Sequence, residues 1–414
     1  MILTEQPQQI KIHKPLLNGI ASSLAMIFNE NRYSDKVLEK LFKQNKQWGS
    51  RDRKFVAESV YDITRHFSLL THLAQTKNNY WFITSVYFVL KNIELPSWPE
   101  FKHVNKELII VEYENLRTDF NTFNSYPEVL AEVCTQELGK EKWEREALAM
   151  NTMAEVVLRV NTLKTNTAEL QKKLLGEKIE TEKLKDHENT LILKKRGNVF
   201  STAAFKEGLF EIQDQGSQQI VVFCKPEPKQ FVIDACAGAG GKSLALAALM
   251  QNKGRIISMD VGQWKLDELA KRAKRAGAFN IETKLIDKPE AMERYKEKAD
   301  LVLLDVPCSG LGVLKRNPDT KWKFNIATFG KTKELQQQIL NDYSTMVKLG
   351  GTLVYSTCSI LPSENEEQVK LFIQKNNSFV IIDEKMIYPS EGFDGFYTVS
   401  YTHLRAHETK ANLV

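Results

Sequence analysis

Two cysteines that end apolar, strand-like runs are the residues of this chain best suited to chemistry. Cys308 closes the segment VLLDVPC, three residues after Asp305, and Cys358 closes the segment TLVYSTC. A thiolate that adds to C6 of a cytosine ring makes C5 nucleophilic, and C5 can then take a methyl group from a sulfonium. The ring nitrogen N3 needs an acid, and Asp305 beside a buried strand end is predicted to stay protonated enough for this role. A single cysteine at a strand end is more often a small buried hydrophobic residue, so it is the set of three residues that favours catalysis.

A glycine-rich segment, DACAGAGGKS at 234–243, passes from a predicted strand into a predicted helix. A phosphate-binding P-loop needs glycine at the position of Cys236 and a dinucleotide fingerprint needs it at Ser243, so the first pattern is excluded and the second is weakened. The third interpretation is a turn for S-adenosylmethionine, with Asp260 at the end of the next strand accepting the ribose hydroxyls. A tight turn that only packs a helix on a strand stays an alternative. Asp287, which ends the third strand, is either an adenine contact or a simple cap.

Strand and helix patterns alternate from about residue 221 and place these motifs at strand ends. The predicted strands are QFVIDAC, GRIISMDV, IETKLID, ADLVLLDVP, TLVYSTC and SFVIIDE. Near-continuous apolar strands separated by helices predict a doubly wound, mostly parallel α/β sheet, whose ligands bind at the carboxyl ends of the strands. The segment after Cys308 contains Lys315, Arg316, Lys321 and Trp322, which suit phosphate contact and base stacking. A basic loop of this kind is more often solvated surface.

Residues 1–140 have a helical pattern, and residues 141–220 have a mixed one. Apolar residues recur at helical spacing from Val56 to Phe67, and Ser50 is the predicted N-cap of that helix. In the second segment VVLRVN and TLILKK predict strands and TAELQKKLLGEK predicts a helix. This segment is therefore a small α+β connector, rich in lysine.

Composition and charge limit the classes to which the protein can belong. The chain has 414 residues, is 42% hydrophobic and 26% charged, and has a net charge of +5. These values are ordinary for a soluble globular protein and permit a nucleic-acid partner without requiring one. The five cysteines show no CxxC spacing, which argues against a disulfide framework and a zinc knuckle. The start lacks the apolar region of a signal peptide, and the apolar run at 80–90 is too short for a bilayer. We predict a cytoplasmic monomer with no membrane and no metal partner.

The two cysteine segments resemble the motifs of the Sun (Fmu) family of RNA cytosine-C5 methyltransferases. DVPCSGLGVLKRNPDTKW and YSTCSILPSENEEQV match that family almost position by position, and EIQDQGSQ and LRVNTLKT resemble its preceding signatures, so the resemblance covers about 125–397. WGSRDRKFVAESVYDITRH is similar to the NusB-like RNA-binding domain of the bacterial RsmB type, which modifies small-subunit ribosomal RNA.

This resemblance implies a fold and a division of the chain. The fold is a Rossmann-like α/β S-adenosylmethionine-dependent methyltransferase domain at 221–399, preceded by an all-α NusB-like domain at 1–140 and the α+β connector at 141–220. Residues 400–414 are polar and without period, and they resemble an appended tail or a natural disordered one.

The resemblance also implies a role for each motif residue. Cys358 would be the nucleophile, Cys308 would help to release the product, and Asp305 would touch both cofactor and base. The residues that would line S-adenosylmethionine are Cys236, Ala237, Gly238, Ala239, Gly240, Gly241, Lys242, Asp260, Asp287 and Asp305. The family usually has proline where Ala239 stands, so the turn of this chain is expected to be less rigid.

The predicted function is S-adenosylmethionine-dependent methylation of cytosine C5 in RNA, and three rivals stay open. A DNA cytosine-C5 methyltransferase uses the cysteine of Pro-Cys and does not need that of Thr-Cys, so Cys358 counts against it. A non-catalytic RNA-binding or ribosome-assembly factor would not need both motif cysteines, and both are present. A transfer RNA methyltransferase shares the catalytic motifs, whereas the NusB-like start favours ribosomal RNA as the substrate.

Overall fold

The computed structural model describes residues 11–286 and 290–404, and it divides into two compact units. The first, the helical unit, comprises the chain up to Thr152 together with Leu314–Ile326. The second, the sheet unit, comprises Met153–Val313 together with the chain from Ala327 onward. Residues 153–220 thus group with the segment that follows them, and the three-part division predicted from the sequence stays a prediction.

Among the described residues the helical unit contains helices and no strand. Its helices are α1 (Lys14–Phe28), α2 (Ser34–Gln44), α3 (Ser50–Arg65), α4 (Phe67–Leu73), α5 (Tyr80–Leu90), α6 (Lys106–Asn115), α7 (Phe120–Phe123), α8 (Glu128–Leu138), α9 (Lys140–Met150) and the short helix Thr320–Lys323. Val56, Val60 and Ile63 of α3 are fully buried, as the helical spacing predicts. Its likeness to a NusB domain stays a prediction.

The start of α3 differs from the sequence prediction by one residue. Gly49 is the N-cap, and its N–H donates to the Asp52 carboxylate at 3.2 Å, so Ser50 is the first helical residue. An acidic residue in the first turn also favours the helix, because it faces the positive end of the helix dipole. Phe67 does not continue α3, since the helix ends before His66 and Phe67 begins α4.

The basic segment after Cys308 is part of the core of the helical unit. Lys321 is 1% exposed, and its ammonium donates to Asn151 Oδ1 at 2.5 Å and to the Arg65 carbonyl at 3.2 Å. Burial lowers the pKa of Lys321 well below its ordinary value. Trp322 Nε1 donates to the Thr64 carbonyl at 2.7 Å. Lys315 is also buried. The prediction of phosphate contact and base stacking is therefore wrong for Lys315, Lys321 and Trp322, which hold protein structure together.

The sheet unit begins with a small antiparallel sheet whose strands lie in the order β2-β3-β1-β4. Its elements are β1 (Val157–Val160), α10 (Thr167–Gly176), β2 (Thr181–Lys183), β3 (Thr190–Leu193), α11 (Ala203–Lys206) and β4 (Phe210–Ile212). The two strands and the helix predicted here are confirmed as β1, β3 and α10. The short strands β2 and β4 were not predicted.

A seven-stranded sheet follows, with its strands in the order β10-β11-β9-β8-β5-β6-β7. Its strands are β5 (Phe231–Asp234), β6 (Arg255–Asp260), β7 (Ile281–Leu285), β8 (Ala299–Asp305), β9 (Val347–Thr357), β10 (Phe379–Ile387) and β11 (Phe396–His403). Its helices are α12 (Gln215–Phe223), α13 (Gly241–Leu249), α14 (Gln263–Ala276), α15 (Glu290–Glu293), α16 (Ile326–Ser344) and α17 (Glu366–Lys375). The six predicted strands and the Rossmann-like α/β class are confirmed.

The pairing within this sheet is parallel from β7 to β9, and β11 is antiparallel to both of its neighbours. Adjacent residues of β5 face opposite layers: Val232 packs with the side chains of α13 and α14, and Ile233 packs with those of α16 and α17. Because both faces of β5, β6 and β8 are covered, these strands are apolar along most of their length, and this is why the sequence pattern located them. The more exposed strands β7 and β10 also carry charged residues.

Strand β11 corrects the predicted end of the fold. It continues through residues 400–403, which the sequence analysis assigned to a tail, and Tyr401 is fully buried. Residues 405–414 lie outside the described residues. No helix in the described ranges is long and apolar enough to cross a bilayer. These same ranges hold no group of three or more His, Cys, Asp or Glu side chains placed to bind a metal ion.

Candidate active site

The glycine-rich turn lies where the strand order of the large sheet reverses, between β5 and β8. It leaves β5 at Asp234 and enters α13 at Gly241. Gly238 and Gly240 have positive φ angles of 54° and 85°, a conformation that favours glycine. A Cβ at Gly240 would lie 2.4 Å from Leu269 Cγ, whereas a Cβ at Gly238 would meet no atom within 4 Å. The turn is therefore closed toward α14 and open beside Gly238, where a ligand can approach the backbone.

Asp260, at the end of β6, contacts this turn, and its predicted role toward the ribose stays a prediction. Its Oδ2 accepts the Gly238 N–H at 3.0 Å, and its Oδ1 accepts the Gly262 N–H at 2.8 Å. The Lys265 ammonium lies 3.2 Å from Oδ1. A carboxylate has about four acceptor positions, so Asp260 can accept further hydrogen bonds from a ligand. Asp287 lies outside the described residues.

Two other side chains near the turn have raised pKa values. Low exposure to solvent, reinforced by the charges of Asp305 and Asp234, raises the pKa of the Cys236 thiol far above its ordinary value. Cys236 therefore keeps its proton and is a poor nucleophile. Burial also raises the pKa of Asp234 to about 7, although the Ser243 hydroxyl donates to it at 2.6 Å. The sequence analysis did not single out Asp234; its position at a strand end just before a glycine-rich turn was the available signal.

Lys242 and Asp305 form an ion pair that the sequence analysis did not foresee. Lys242 Nζ donates to Asp305 Oδ2 at 2.6 Å. Burial lowers the pKa of Lys242, but the Asp305 charge and hydrogen bond outweigh it, and the charge of Cys358 adds to them, so the net pKa is raised. Lys242 therefore keeps its proton and donates it in the hydrogen bond to Asp305 Oδ2. The role of Asp305 as the acid for the base stays a prediction, which did not include this lysine partner.

The two motif cysteines meet at the ends of the neighbouring parallel strands β8 and β9. The Sγ atoms of Cys308 and Cys358 are 3.1 Å apart, and the Cys358 N–H donates to Cys308 Sγ at 3.3 Å. Both cysteines are free thiols. The hydrogen bond with Cys358, together with burial, raises the pKa of Cys308 well above its ordinary value. Cys308 thus retains its proton and can donate to Cys358.

The loop that carries Cys308 is fixed by two side chains from distant parts of the chain. Glu364, fully buried, accepts the Ser309 N–H at 2.8 Å and a hydrogen bond from Gln336 Nε2 at 3.0 Å. Gln336 Nε2 also donates to the Pro307 carbonyl at 2.9 Å. Both residues were missed from the sequence. Glu364 lies within YSTCSILPSENEEQV, but its spacing gives no sign that it returns to the Cys308 loop.

Two protein-family descriptions match this chain: that of the 16S rRNA methyltransferases RsmB/F over residues 221–399, and that of the RsmF/B-like ferredoxin-like domain over residues 126–200. Residues 221–399 of this chain are thus similar to the RsmB/F methyltransferases. The first match contains every cysteine and carboxylate of the site just described. The second overlaps the small sheet.

Curated RsmB/F-type relatives agree with this assignment. The chain is 36% identical over 257 residues to the probable ribosomal RNA small subunit methyltransferase B of Synechocystis. This match covers 62% of this chain and 58% of the relative. It is 34% identical over 292 residues to the probable ribosomal RNA small subunit methyltransferase B of Bacillus subtilis. This match covers 70% of this chain and 63% of the relative. The chain thus matches 58% and 63% of the length of these relatives.

A solved structure supports the fold. The methyltransferase homolog protein from Pyrococcus horikoshii has a TM-score of 0.61 and 27% identity, over 69% of this chain and 98% of that one. The match agrees with the Rossmann-like methyltransferase fold of the large sheet.

Proposed function

We propose that this protein transfers a methyl group from S-adenosylmethionine to C5 of a cytosine in small-subunit ribosomal RNA, through a covalent adduct between Cys358 and C6. The observation that carries the proposal is the pair of free thiols, 3.1 Å apart, at the ends of β8 and β9. The family match and the names of the relatives support methylation of ribosomal RNA. A monomeric, cytoplasmic protein without a metal remains a prediction.

The residues around the glycine-rich turn suit S-adenosylmethionine. The open side of Gly238 leaves room for a ligand against the backbone, and Asp260 beside it can accept the ribose hydroxyls. When bound, S-adenosylmethionine supplies an electrophilic methyl group on its sulfonium. In this proposal Cys236 to Lys242 and Asp260 line the cofactor, Asp287 contacts the adenine, and Asp305 lies between cofactor and base.

Cys358 is the better nucleophile of the two cysteines. Cys308 keeps its proton, and its Sγ lies 3.1 Å from Cys358 Sγ, so Cys308 can donate a hydrogen bond to a thiolate on Cys358. Attack forms the bond between Cys358 Sγ and C6 and moves electrons toward C5 and N3 of the ring. The proton held by Lys242 and Asp305 can be shared with N3 as that charge develops.

After methyl transfer the C5 proton leaves to water and its electron pair forms the C5–C6 double bond, while the bond between Cys358 and C6 breaks and its electrons return to Cys358 Sγ. Cys308 is close enough to Cys358 to assist this elimination. Replacement of Cys358 is therefore expected to stop turnover before the adduct forms. Replacement of Cys308 is expected to stop it after the adduct has formed.

Cysteine variants test the mechanism directly. Cys358→Ala is expected to bind S-adenosylmethionine but to form no adduct and transfer no methyl group. Cys308→Ala is expected to accumulate an RNA–protein adduct, visible on a denaturing gel after incubation with RNA and cofactor. Cys134→Ala, a buried cysteine of the helical unit, is the matched control and should behave as the wild type. An adduct with Cys358→Ala and none with Cys308→Ala would reverse the two roles.

Bisulfite sequencing of total RNA, with and without the gene, identifies the substrate. A methylated cytosine that disappears from small-subunit ribosomal RNA supports the proposal. A change confined to transfer RNA would favour a transfer RNA methyltransferase. No change in any RNA, with the protein expressed and folded, would favour a non-catalytic RNA-binding factor.

A further inference from the structure

Two sequence signatures outside the cysteine motifs converge on helix α14. LRVNTLKT supplies Asn161 and Lys164, and EIQDQGSQ supplies Glu211. Asn161 Nδ2 donates to the Ala276 carbonyl at 2.7 Å, and Lys164 Nζ donates to the Arg275 carbonyl at 2.7 Å. Carbonyls in the last turn of a helix lack partners within it, so these side chains satisfy them. The two signatures therefore attach the small sheet to the C-terminal end of α14.

Glu211 extends this attachment to the glycine-rich turn. Its carboxylate is 6% exposed, and it accepts Arg272 Nη2 at 2.9 Å on one oxygen and Arg275 Nη2 on the other. Arg272 also donates through Nη1 to the Ala239 carbonyl at 2.7 Å. A single guanidinium thus joins a carboxylate of β4 to the turn, and its planar set of donors fixes both contacts at once.

The charge balance of this cluster makes Glu211 hard to replace. Arg159 of β1 lies opposite Glu211 in the strand register and is buried. Its burial lowers its pKa to about 10, and Glu211 opposes that shift. Glu211 therefore faces the guanidiniums of Arg159, Arg272 and Arg275. Without its charge the three would repel one another where water screens them poorly, and Arg272 would lose the partner that orients it.

The turn needs such an outside contact because its own backbone is permissive. Ala239 lies between Gly238 and Gly240, which both adopt positive φ angles and tolerate many others. The family usually has proline at the position of Ala239, and proline would restrict the backbone by fixing φ. In this chain the contact from Arg272 provides the restraint.

We propose that Glu211 is a positioning residue for S-adenosylmethionine, which acts by orienting Arg272 and thereby holding Ala239 and the open side of the turn. The inference rests on the proposed placement of the cofactor at this turn. It makes the small sheet a part of the cofactor site, whereas the sequence indicated a catalytic domain complete from about residue 221.

The test compares Glu211→Gln and Arg272→Lys with a control pair on the large sheet. Glu282 of β7 forms a similar two-point ion pair with Arg255 of β6, at 2.8 Å for both contacts, and among the described residues no hydrogen bond joins Arg255 to the glycine-rich turn. Calorimetry with S-adenosylmethionine should show that Glu211→Gln and Arg272→Lys each weaken binding about tenfold, the worth of one charge-assisted hydrogen bond. Glu282→Gln should bind as the wild type does. Methyl transfer at saturating cofactor should change by less than roughly twofold, because chemistry after binding is untouched.

A rescue variant separates positioning from general damage. Adding Ala239→Pro to Glu211→Gln should restore most of the lost affinity, since proline supplies the restraint that Arg272 no longer provides. Unchanged affinity in folded Glu211→Gln overturns the inference, as does a loss that Glu282→Gln shares or that Ala239→Pro fails to restore. Wild-type protein that transfers no methyl group to any RNA overturns the proposed function instead, and the binding comparison still decides the role of Glu211.

Discussion

Replacement of Asp260 by asparagine separates two roles of this carboxylate. Both of its oxygens are engaged in the structure, Oδ2 by the Gly238 N–H at 3.0 Å and Oδ1 by the Gly262 N–H at 2.8 Å. Asparagine offers one acceptor oxygen, so one of these N–H groups will face an amide NH2 and lose its partner. An unsatisfied buried donor costs about 1–3 kcal/mol, which is the expected decrease in the free energy of unfolding without cofactor.

The effect on S-adenosylmethionine comes from the lost negative charge. Hydrogen bonds to a charged group contribute about 1.5–3 kcal/mol, so a ribose contact with Asp260 predicts that Asp260→Asn raises Kd by about 10–150-fold. Calorimetric titration of both proteins at one pH and salt concentration measures this change. Urea unfolding without cofactor measures the structural effect separately.

Asp300 provides a matched control at the opposite end of the sheet. Its Oδ2 accepts the Phe231 N–H at 2.6 Å, and it forms an ion pair with Lys348, so it has the same kinds of partner as Asp260. Asp300→Asn should reduce stability and leave cofactor affinity unchanged. If folded Asp260→Asn binds as tightly as the wild type, another carboxylate holds the ribose. If Asp300→Asn weakens binding equally, the effect is general destabilisation and the reasoning fails.

Three further predictions concern stability and RNA binding. Burial raises the pKa of Asp234 from 3.8 to about 7, so between these pH values the folded state holds a proton that the unfolded chain releases. The free energy of unfolding should therefore fall as pH rises from about 4 to 7. Thermal unfolding of Asp234→Asn should show a flatter dependence on pH. Lys321→Ala should lower the unfolding free energy by about 3 kcal/mol, since buried carbonyls lose their donor, whereas the more exposed Lys323→Ala should cost under about 1 kcal/mol in the same urea melts. Arg51→Ala with Lys54→Ala should weaken RNA binding and reduce its salt slope by about 2; an unchanged slope would place the RNA elsewhere.

The sequence predicted those parts of the fold in which burial leaves a pattern along the chain. Strands covered on both faces must be apolar along most of their length, so β5, β6 and β8 were visible as runs such as ADLVLLD. Parallel strands end at one edge, so the meeting of Cys308 with Cys358, and of Asp260 with the turn, followed from their positions at strand ends.

Contacts with distant backbone left no such pattern. Lys321 stands in a basic segment of the kind that usually forms a solvated loop, yet it donates to the Arg65 carbonyl. Every residue type has a backbone carbonyl, so the sequence gives no sign of this contact. The second half of β11 contains Ser400, Thr402 and His403, and residues 400–403 were assigned to a tail because pairing on both sides, which the sequence does not display, is what makes them part of the sheet. Glu364 was missed for the same reason, since its acceptors serve a loop some fifty residues earlier.

The position of β11 in the large sheet has a consequence for the order in which the protein is made. Strand β9, which leads to Cys358, lies between β8 and β11, and its pairing with β11 extends to Thr402. A ribosome adds roughly 5–20 residues per second, so on the order of seconds separates the synthesis of β9 from that of its second neighbour. During that interval β9 is an edge strand with free backbone donors and acceptors, the feature by which nascent chains pair with one another. Strands β5 to β8 are all made before β11, so the part of the sheet next to the glycine-rich turn can close before the strand that leads to Cys358 is protected.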